Sequence, residues 1–332
     1  KQGNVLKYTI EVNERSLQLS NDGKLNLTDI MTNATPDLGT IKVWNTEENK
    51  EVPSQSWSVK YNGSNKLEFT LPDATPIRIT YDAYPHKAAG SITVENHATL
   101  SGMRTDSSGT SESITVNNGG GAGGGQNVMF FIYKVDEVTR EPLANATFTL
   151  ERFETGGPNK GGWYTLGTVT TDDHGQVRIH QFSANGNPEI LHTNMLYRIK
   201  ETQAPQNYVA AGGYRYFAIL EGKTLDVVYG ECTTAGLQGV TKEQILPLEN
   251  AGSITMENRR KEISFAFNKI TSGGAPLSGA TFTLTENGTT NVKTAISEAD
   301  GSVSFRGLEP GKTYILEETQ APNGYMRSTR TW

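Results

Sequence analysis

The chain has 332 residues, more than one ordinary hydrophobic core accommodates, so two or three domains are expected. Its formal charge is −6, with Lys and Arg scattered rather than gathered into a stripe, which excludes the electrostatic footprint of nucleic-acid or anionic-membrane binding. No apolar run reaches the length of a membrane span, and a single cysteine, Cys232, excludes an intrachain disulfide and a thiolate metal cluster.

The first residues, Lys1-Gln2-Gly3-Asn4, have neither an initiator Met nor the apolar core of a signal peptide, so the chain reads as an internal piece of a longer protein. Apolar residues then alternate with polar ones, as in Tyr8-Thr9-Ile10-Glu11-Val12, a period of two that predicts strands and an all-β fold. Residues 1–117 are expected to form one sandwich. Within it Leu25, Leu27 and Asp29 share a face, as do Ile92, Val94 and Asn96, so Asp29 and Asn96 are candidate buried polar residues. A partner lysine is harder to find. Lys7 is out of phase with Tyr8, Ile10 and Val12, and Lys42 lies opposite Ile41 and Val43. Three alternatives stay open: a reactive lysine preceding Lys1, a domain without a bond, or Lys7 in a phase other than alternation gives.

Residues 118–127 are dominated by glycine and predict a flexible linker. The tract lacks the strand, Lys and Ser/Thr context of a phosphate-binding loop.

Residues 128–260 and 261–332 then repeat four blocks in one order. The first copy has Phe130-Phe131-Ile132-Tyr133-Lys134-Val135-Asp136, Pro142-Leu143-Ala144-Asn145-Ala146-Thr147-Phe148-Thr149-Leu150, Asp173-His174-Gly175 and Tyr197-Arg198-Ile199-Lys200-Glu201-Thr202-Gln203-Ala204-Pro205. The second has Phe265-Ala266-Phe267-Asn268-Lys269-Ile270, Pro276-Leu277-Ser278-Gly279-Ala280-Thr281-Phe282-Thr283-Leu284, Ala299-Asp300-Gly301 and Tyr314-Ile315-Leu316-Glu317-Glu318-Thr319-Gln320-Ala321-Pro322. Such a repeat is a duplicated domain with loop insertions. The Asp-x-Gly and Asp-Gly pairs predict hairpin turns, because Gly supplies the positive φ a tight turn needs. The longest insertion lies between Tyr208 and Asn258 and contains Cys232.

Alternation places Lys134 on the apolar face of Phe130 and Ile132, Glu201 on that of Tyr197 and Ile199, and Asn258 on that of Ile254 and Met256. An unpaired charge is costly to bury, so the three are expected to be neighbours. Burial favours the neutral form of an amine and of a carboxyl alike, leaving Lys134 nucleophilic. The expected reaction is attack of the Lys134 amine on the Asn258 side-chain amide carbon, with Glu201 as proton shuttle and hydrogen-bond donor to the amide oxygen, and loss of ammonia. The same stripes also fit a buried Lys134–Glu201 ion pair with Asn258 capping a strand. The duplicate favours the reactive trio, since Lys269 follows Phe265 and Phe267, and Glu318 follows Tyr314 and Leu316. No acceptor for Lys269 follows Glu318 before Trp332; truncation and a strand donated by another chain are the two readings of this.

The Tyr-x-Ile/Leu-x-Glu-Thr-x-Ala-Pro segments resemble the E-box of Gram-positive pilins. With Lys-Val-Asp, Pro-Leu-x-x-Ala-Thr-Phe-Thr-Leu and Met-Glu-Asn, they resemble B-type (CnaB, SpaA-like) domains of collagen-adhesin-like proteins over residues 128–332. Residues 1–117 resemble the A-type (CnaA-like) sandwich, in which an Asp replaces the catalytic Glu. The resemblance implies tandem Ig-like β-sandwiches, an extracellular stalk or pilus segment on a cell wall, and a Lys134–Asn258 isopeptide bond with Glu201 catalytic. By the same analogy Glu318 serves Lys269, and Asp29 serves a bond from Lys7 to Asn96. It implies self-cross-linking once per molecule rather than turnover. The expected partners are neighbouring pilin subunits or, for an adhesin tip near Tyr214 and Tyr216, a host matrix protein or glycan. Neither a Leu-Pro-x-Thr-Gly sorting signal nor a Tyr-Pro-Lys motif is present; Tyr84-Pro85-His86-Lys87 only approximates the latter.

No cofactor or metal is expected: His86, His97, His174, His180 and His192 lack zinc spacing and read as surface residues, and no loop has the alternating oxygen ligands of a calcium site. The glycosylation-type patterns at Asn26, Asn33, Asn62, Asn145 and Asn287 read as chance in a chain rich in Asn and Thr.

Overall fold

A computed structural model describes residues 5–63, 65–101, 106–116, 128–179, 181–184 and 187–332. The expected glycine linker at 118–127 and His180 lie outside the described residues. The chain divides into two compact units. One comprises residues 1–205 and 210–258, and the other residues 206–209 and 259–332.

The first unit opens with a sandwich of nine strands: β1 (Leu6–Val12), β2 (Lys24–Thr32), β3 (Ala34–Asn45), β4 (Lys50–Glu51), β5 (Ser58–Tyr61), β6 (Lys66–Pro72), β7 (Ile77–Pro85), β8 (Gly90–Ser101) and β9 (Asp106–Val116). They form two sheets ordered β1-β7-β3-β4 and β5-β6-β2-β8-β9. In β2, Leu25, Leu27, Asp29 and Met31 are buried while the residues between them are not, which is the alternation of a one-sided strand.

A second sandwich follows with β10 (Phe130–Asp136), β11 (Thr147–Phe153), β12 (Trp163–Thr170), β13 (Gln176–Ile179), β14 (Gln181–Ala184), β15 (Asn187–Ile190), β16 (Leu196–Gln203), β17 (Tyr208–Val209), β18 (Arg215–Ile219), α1 (Leu225–Thr234), β19 (Ile245–Leu248) and β20 (Ser253–Arg260). Its sheets run β13-β10-β20 and β12-β11-β16-β18-β19, with β14-β15 as a separate hairpin; β17 pairs with Arg259 and Arg260 at the end of β20, residues that belong with it to the second unit. The pairing of β10 with β20 is parallel, Ile132 facing Ile254 and Lys134 facing Met256.

All seven residues of β10 are buried. Phe130 and Ile132 face the core of their own sandwich, whereas Tyr133 and Val135 join the core of the preceding one. Phe131 packs with Tyr84, Met129 and Ala251. Polar groups close this contact: Gln176 donates from Nε2 to Pro36 O (3.0 Å) and accepts at Oε1 from Leu38 N (2.8 Å), and Asn250 donates to Pro85 O (3.2 Å) and accepts from Met129 N (2.8 Å). Buried amides are tolerated because their donors and acceptors are used.

The Tyr208–Asn258 insertion departs from the all-β expectation by one helix. Thr224 caps α1, accepting from Val227 N, and Asp226 sits in its first turn. The helix carries the chain over to β19, which pairs parallel with β18, a connection no hairpin can make. Cys232 is buried there among Phe153, Leu196, Val228, Leu237 and Ile245.

The second unit contains β21 (Ile263–Asn268), β22 (Thr281–Glu286), β23 (Val292–Ile296), β24 (Ser302–Leu308) and β25 (Tyr314–Gln320). Its sheets are β21-β24 and β23-β22-β25, around Phe282, Leu284, Val303, Phe305 and Leu316.

Candidate functional site

Lys134 on β10, Glu201 on β16 and Asn258 on β20 meet in the core of the second sandwich at 0%, 3% and 2% exposure. The Lys134 Nζ donates to Asn258 Oδ1 at 2.5 Å and lies 3.4 Å from Glu201 Oε2. Asn258 Nδ2 donates to Glu201 Oε1 at 2.8 Å. The expected bond from Glu201 to the amide oxygen is therefore not the one present: Glu201 holds the amide nitrogen, which is the leaving group of an aminolysis. Burial holds the Lys134 amine below the ordinary lysine range, opposed by the charge of Glu201.

The repeated motifs supply this geometry. A register shift between Thr147 and Phe148 sets Phe148 opposite Glu201. The Phe148 ring lies 5.7 Å from the lysine nitrogen. Gly175, at φ +68°, brings its turn so close that an added Cβ would stand 2.5 Å from the Lys134 carbonyl. That carbonyl accepts from Leu143 N, and Lys134 N donates to Gly175 O, so turn and lysine strand are tied together. Asp136 is buried and accepts from the Val138 and Thr139 amides, closing the turn after the lysine. One contact escaped sequence reasoning because it is a backbone group: Ala211 N donates to Glu201 Oε2 at 2.6 Å.

In the second unit Lys269 and Glu318 also meet, at 3.0 Å from Nζ to Oε2. The surroundings repeat: Phe282 lies opposite Glu318 after a register shift, its ring 5.7 Å from Lys269 Nζ, and Ser328 N donates to Glu318 Oε2 at 2.9 Å.

The N-terminal sandwich brings Asp29 and Asn96 together but not Lys7. Lys7 is exposed and pairs with Asp82 at 2.8 Å, as its phase in β1 requires. Tyr81 of the facing sheet stands between the two candidates instead, donating to Asp29 Oδ2 (2.5 Å) and accepting from Asn96 Nδ2 (3.2 Å). Burial raises the Asp29 carboxyl to about 6, against the hydrogen bond from Tyr81. A carboxyl raised on folding binds more protons in the native state, so its stabilisation is complete below the unfolded value of 3.8 and is lost as pH rises through about 6. The N-terminal sandwich is expected to be more stable at pH 4 than at pH 7 by about 2 kcal/mol from this group. Thermal melts of the wild type and Asp29→Asn check this; equal pH dependence in both would contradict it.

The remaining candidates lie apart from these clusters. His86, expected on the surface, is largely buried between Thr35 (3.0 Å) and Glu249 (3.4 Å), and burial lowers its pKa. The Cys232 thiol is pushed up to about 11 by burial. The Arg198 guanidinium stacks 4.0 Å from the Tyr214 ring and 4.3 Å from that of Trp163. Among the described residues no three His, Cys, Asp or Glu side chains are placed to hold a metal ion, and no helix is long and apolar enough to cross a membrane.

The model of the SpaA prealbumin-like fold domain matches residues 129–231 and 263–332. No curated protein matches the chain. Among solved structures, the Bacillus anthracis TIE protein is 17% identical over 93% of this chain, with a TM-score of 0.41. The chain spans 48% of that protein's length. The pilus backbone RrgB of Streptococcus pneumoniae is 17% identical over 99% of this chain and 85% of its own, with a TM-score of 0.25. BcpA, the major pilin subunit of Bacillus cereus, is 14% identical over 77% and 65%, with a TM-score of 0.28.

Proposed function

We propose, from the premise that the chain belongs to the SpaA prealbumin-like domain family, that it is a load-bearing segment of a cell-surface stalk or pilus shaft, cross-linked by a Lys134–Asn258 isopeptide bond. Its partners on this reading are neighbouring subunits of the same fibre. The observation that carries the proposal is the dry contact of amine, carboxamide and carboxyl, with Lys134 Nζ and Asn258 Oδ1 2.5 Å apart.

The reaction begins with transfer of a proton from the Lys134 ammonium to Glu201. The neutral amine attacks the Asn258 amide carbon, a C–N bond forms, and the bond to the amide nitrogen breaks. Glu201, already hydrogen-bonded to that nitrogen, passes the proton to it so that ammonia leaves, and takes up the second proton from the former lysine nitrogen, so that a neutral amide remains. In water an amine does not displace ammonia from an amide at a useful rate; fixed proximity and exclusion of water replace a bimolecular encounter. Folding thus supplies the catalysis, and the bond forms once per chain.

The mechanical consequence is direct. Lys134 and Asn258 are 124 residues apart in sequence, so a bond between them removes roughly 40–45 nm of extension when the chain is pulled from its ends. Single-molecule stretching of the wild type is expected to lack that length and Glu201→Gln to recover it. A wild-type trace that includes it would overturn the reading.

A further inference from the structure

The outward face of the sheet that carries Glu201 holds a cluster the cross-link does not use. Arg198 and Lys200 alternate on β16 with the inward residues Tyr197, Ile199 and Glu201, so they point away from the core. Across the sheet, Glu151 of β11 and Tyr216 of β18 stand on either side of Arg198. Arg198 Nε donates to Glu151 Oε2 at 2.7 Å, and Glu151 Oε1 accepts from the Thr165 hydroxyl at 3.4 Å. The Trp163 and Tyr214 rings lie 4.3 and 4.0 Å from the guanidinium carbon. The guanidinium is thus fixed by one edge and by two rings, while its terminal nitrogens have no partner among the described residues. Lys200 Nζ stands 5.6 Å from the Tyr214 ring with no carboxylate paired to it among those residues, and Tyr214 is 38% exposed.

The duplicated domain shows that the fold does not require this cluster. Where the first copy has Tyr197-Arg198-Ile199-Lys200-Glu201, the second has Tyr314-Ile315-Leu316-Glu317-Glu318. The inward residues are kept in kind and both outward cations are gone. Thr285 stands opposite Ile315 where Glu151 stands opposite Arg198, so the carboxylate that buttresses the arginine is gone with it.

Two cations against one carboxylate, on a chain of net charge −6, make this face complementary to an anion. A pinned arginine with free terminal nitrogens takes a carboxylate through two parallel hydrogen bonds. The exposed ring beside it offers an apolar face. Arg198 lies in the interior of the sheet, β16 being flanked by β11 and β18, so no strand edge is present there for main-chain pairing with a peptide. Recognition rests on side chains alone, which suits a sugar ring.

We propose that this face binds a saccharide whose pyranose ring carries a carboxylate. The carboxylate takes the terminal nitrogens of Arg198, Lys200 supplies the second positive charge, and the C–H face of the ring lies on Tyr214. The site stands whether or not Lys134 is cross-linked.

The probe is methyl β-D-glucuronide, titrated into the whole chain while the tryptophan side-chain N–H signals are followed by NMR, that of Trp163 being identified by its loss in Trp163→Phe. Methyl β-D-glucoside, which has CH2OH in place of the carboxylate, acetate and a tetraglutamate peptide are the comparisons. The expected result is a saturable shift at Trp163 with the glucuronide, at concentrations at least about tenfold below those needed with any comparison compound. Tyr214→Ala and Lys200→Ala, which alter exposed side chains, are each expected to weaken it about tenfold, and Arg198→Lys to remove the preference for glucuronide over glucoside. Equal binding of the glucoside or of acetate would overturn the proposal, as would tighter binding of the peptide. So would unchanged binding in Tyr214→Ala, or the absence of a saturable shift with the glucuronide.

Discussion

The Glu201→Gln chain is expected to melt about 10–20 °C below the wild type in its first unit. A cross-link across the 124 residues from Lys134 to Asn258 stabilises by about 5 kcal/mol in the chain-entropy model, because it removes conformations from the unfolded chain. Glutamine preserves the shape of the site, and its side-chain oxygen can still accept the Ala211 amide that Glu201 holds at 2.6 Å. What it cannot do is relay a proton from amine to leaving group. The loss therefore reports the missing bond rather than a cavity. A calorimetric scan is the measurement, and coincident transitions of variant and wild type would contradict the account.

Replacement of Phe131 by Ala is the second large effect, about 3–5 kcal/mol of stability lost from the first unit. Phe131 is fully buried, yet it is not part of its own sandwich core; it packs with Tyr84, Met129 and Ala251 between the two sandwiches. Phe130, the next residue, lies in the second core, its ring 4.4 Å from Phe217. Phe131→Ala is thus expected to loosen the contact around Gln176 and Asn250 while leaving the Lys134 site assembled, so that it still cross-links. Urea denaturation with hydrogen exchange at Leu38 and Met129 checks this. A variant within about 1 kcal/mol of wild type, with both amides still protected, would show that the two sandwiches do not stabilise each other through this residue.

The reach of the amino-acid sequence follows the physics of each element. Period-two alternation turns Lys134, Glu201 and Asn258 each toward the apolar face of its own strand, and a one-residue error would have sent each to the opposite side of its sheet. The duplicate made the same argument for Lys269 and Glu318. Double-sided burial of β10 is written in the unbroken run Phe130-Phe131-Ile132-Tyr133, beside Phe265-Ala266-Phe267-Asn268 in the copy, yet an apolar run does not say which domain covers its second face. Helix α1 was missed because ten residues among strands give a weak periodic signal, although Thr224 and Asp226 mark its start. Tyr81 was missed for a different reason: it reads as a core aromatic in β7, and only the pairing of sheets shows that its hydroxyl stands between Asp29 and Asn96. The backbone amides of Ala211 and Ser328 carry no side-chain signal at all.

The proposed Lys134–Asn258 bond forms with loss of ammonia inside the second sandwich. Intact mass of the purified chain, followed by proteolysis and fragment sequencing, tests it most directly. The expected result is a chain lighter than its sequence by one ammonia, with the fragments containing Lys134 and Asn258 recovered as a single branched peptide. A chain of full sequence mass, with those two fragments recovered separately, would contradict it.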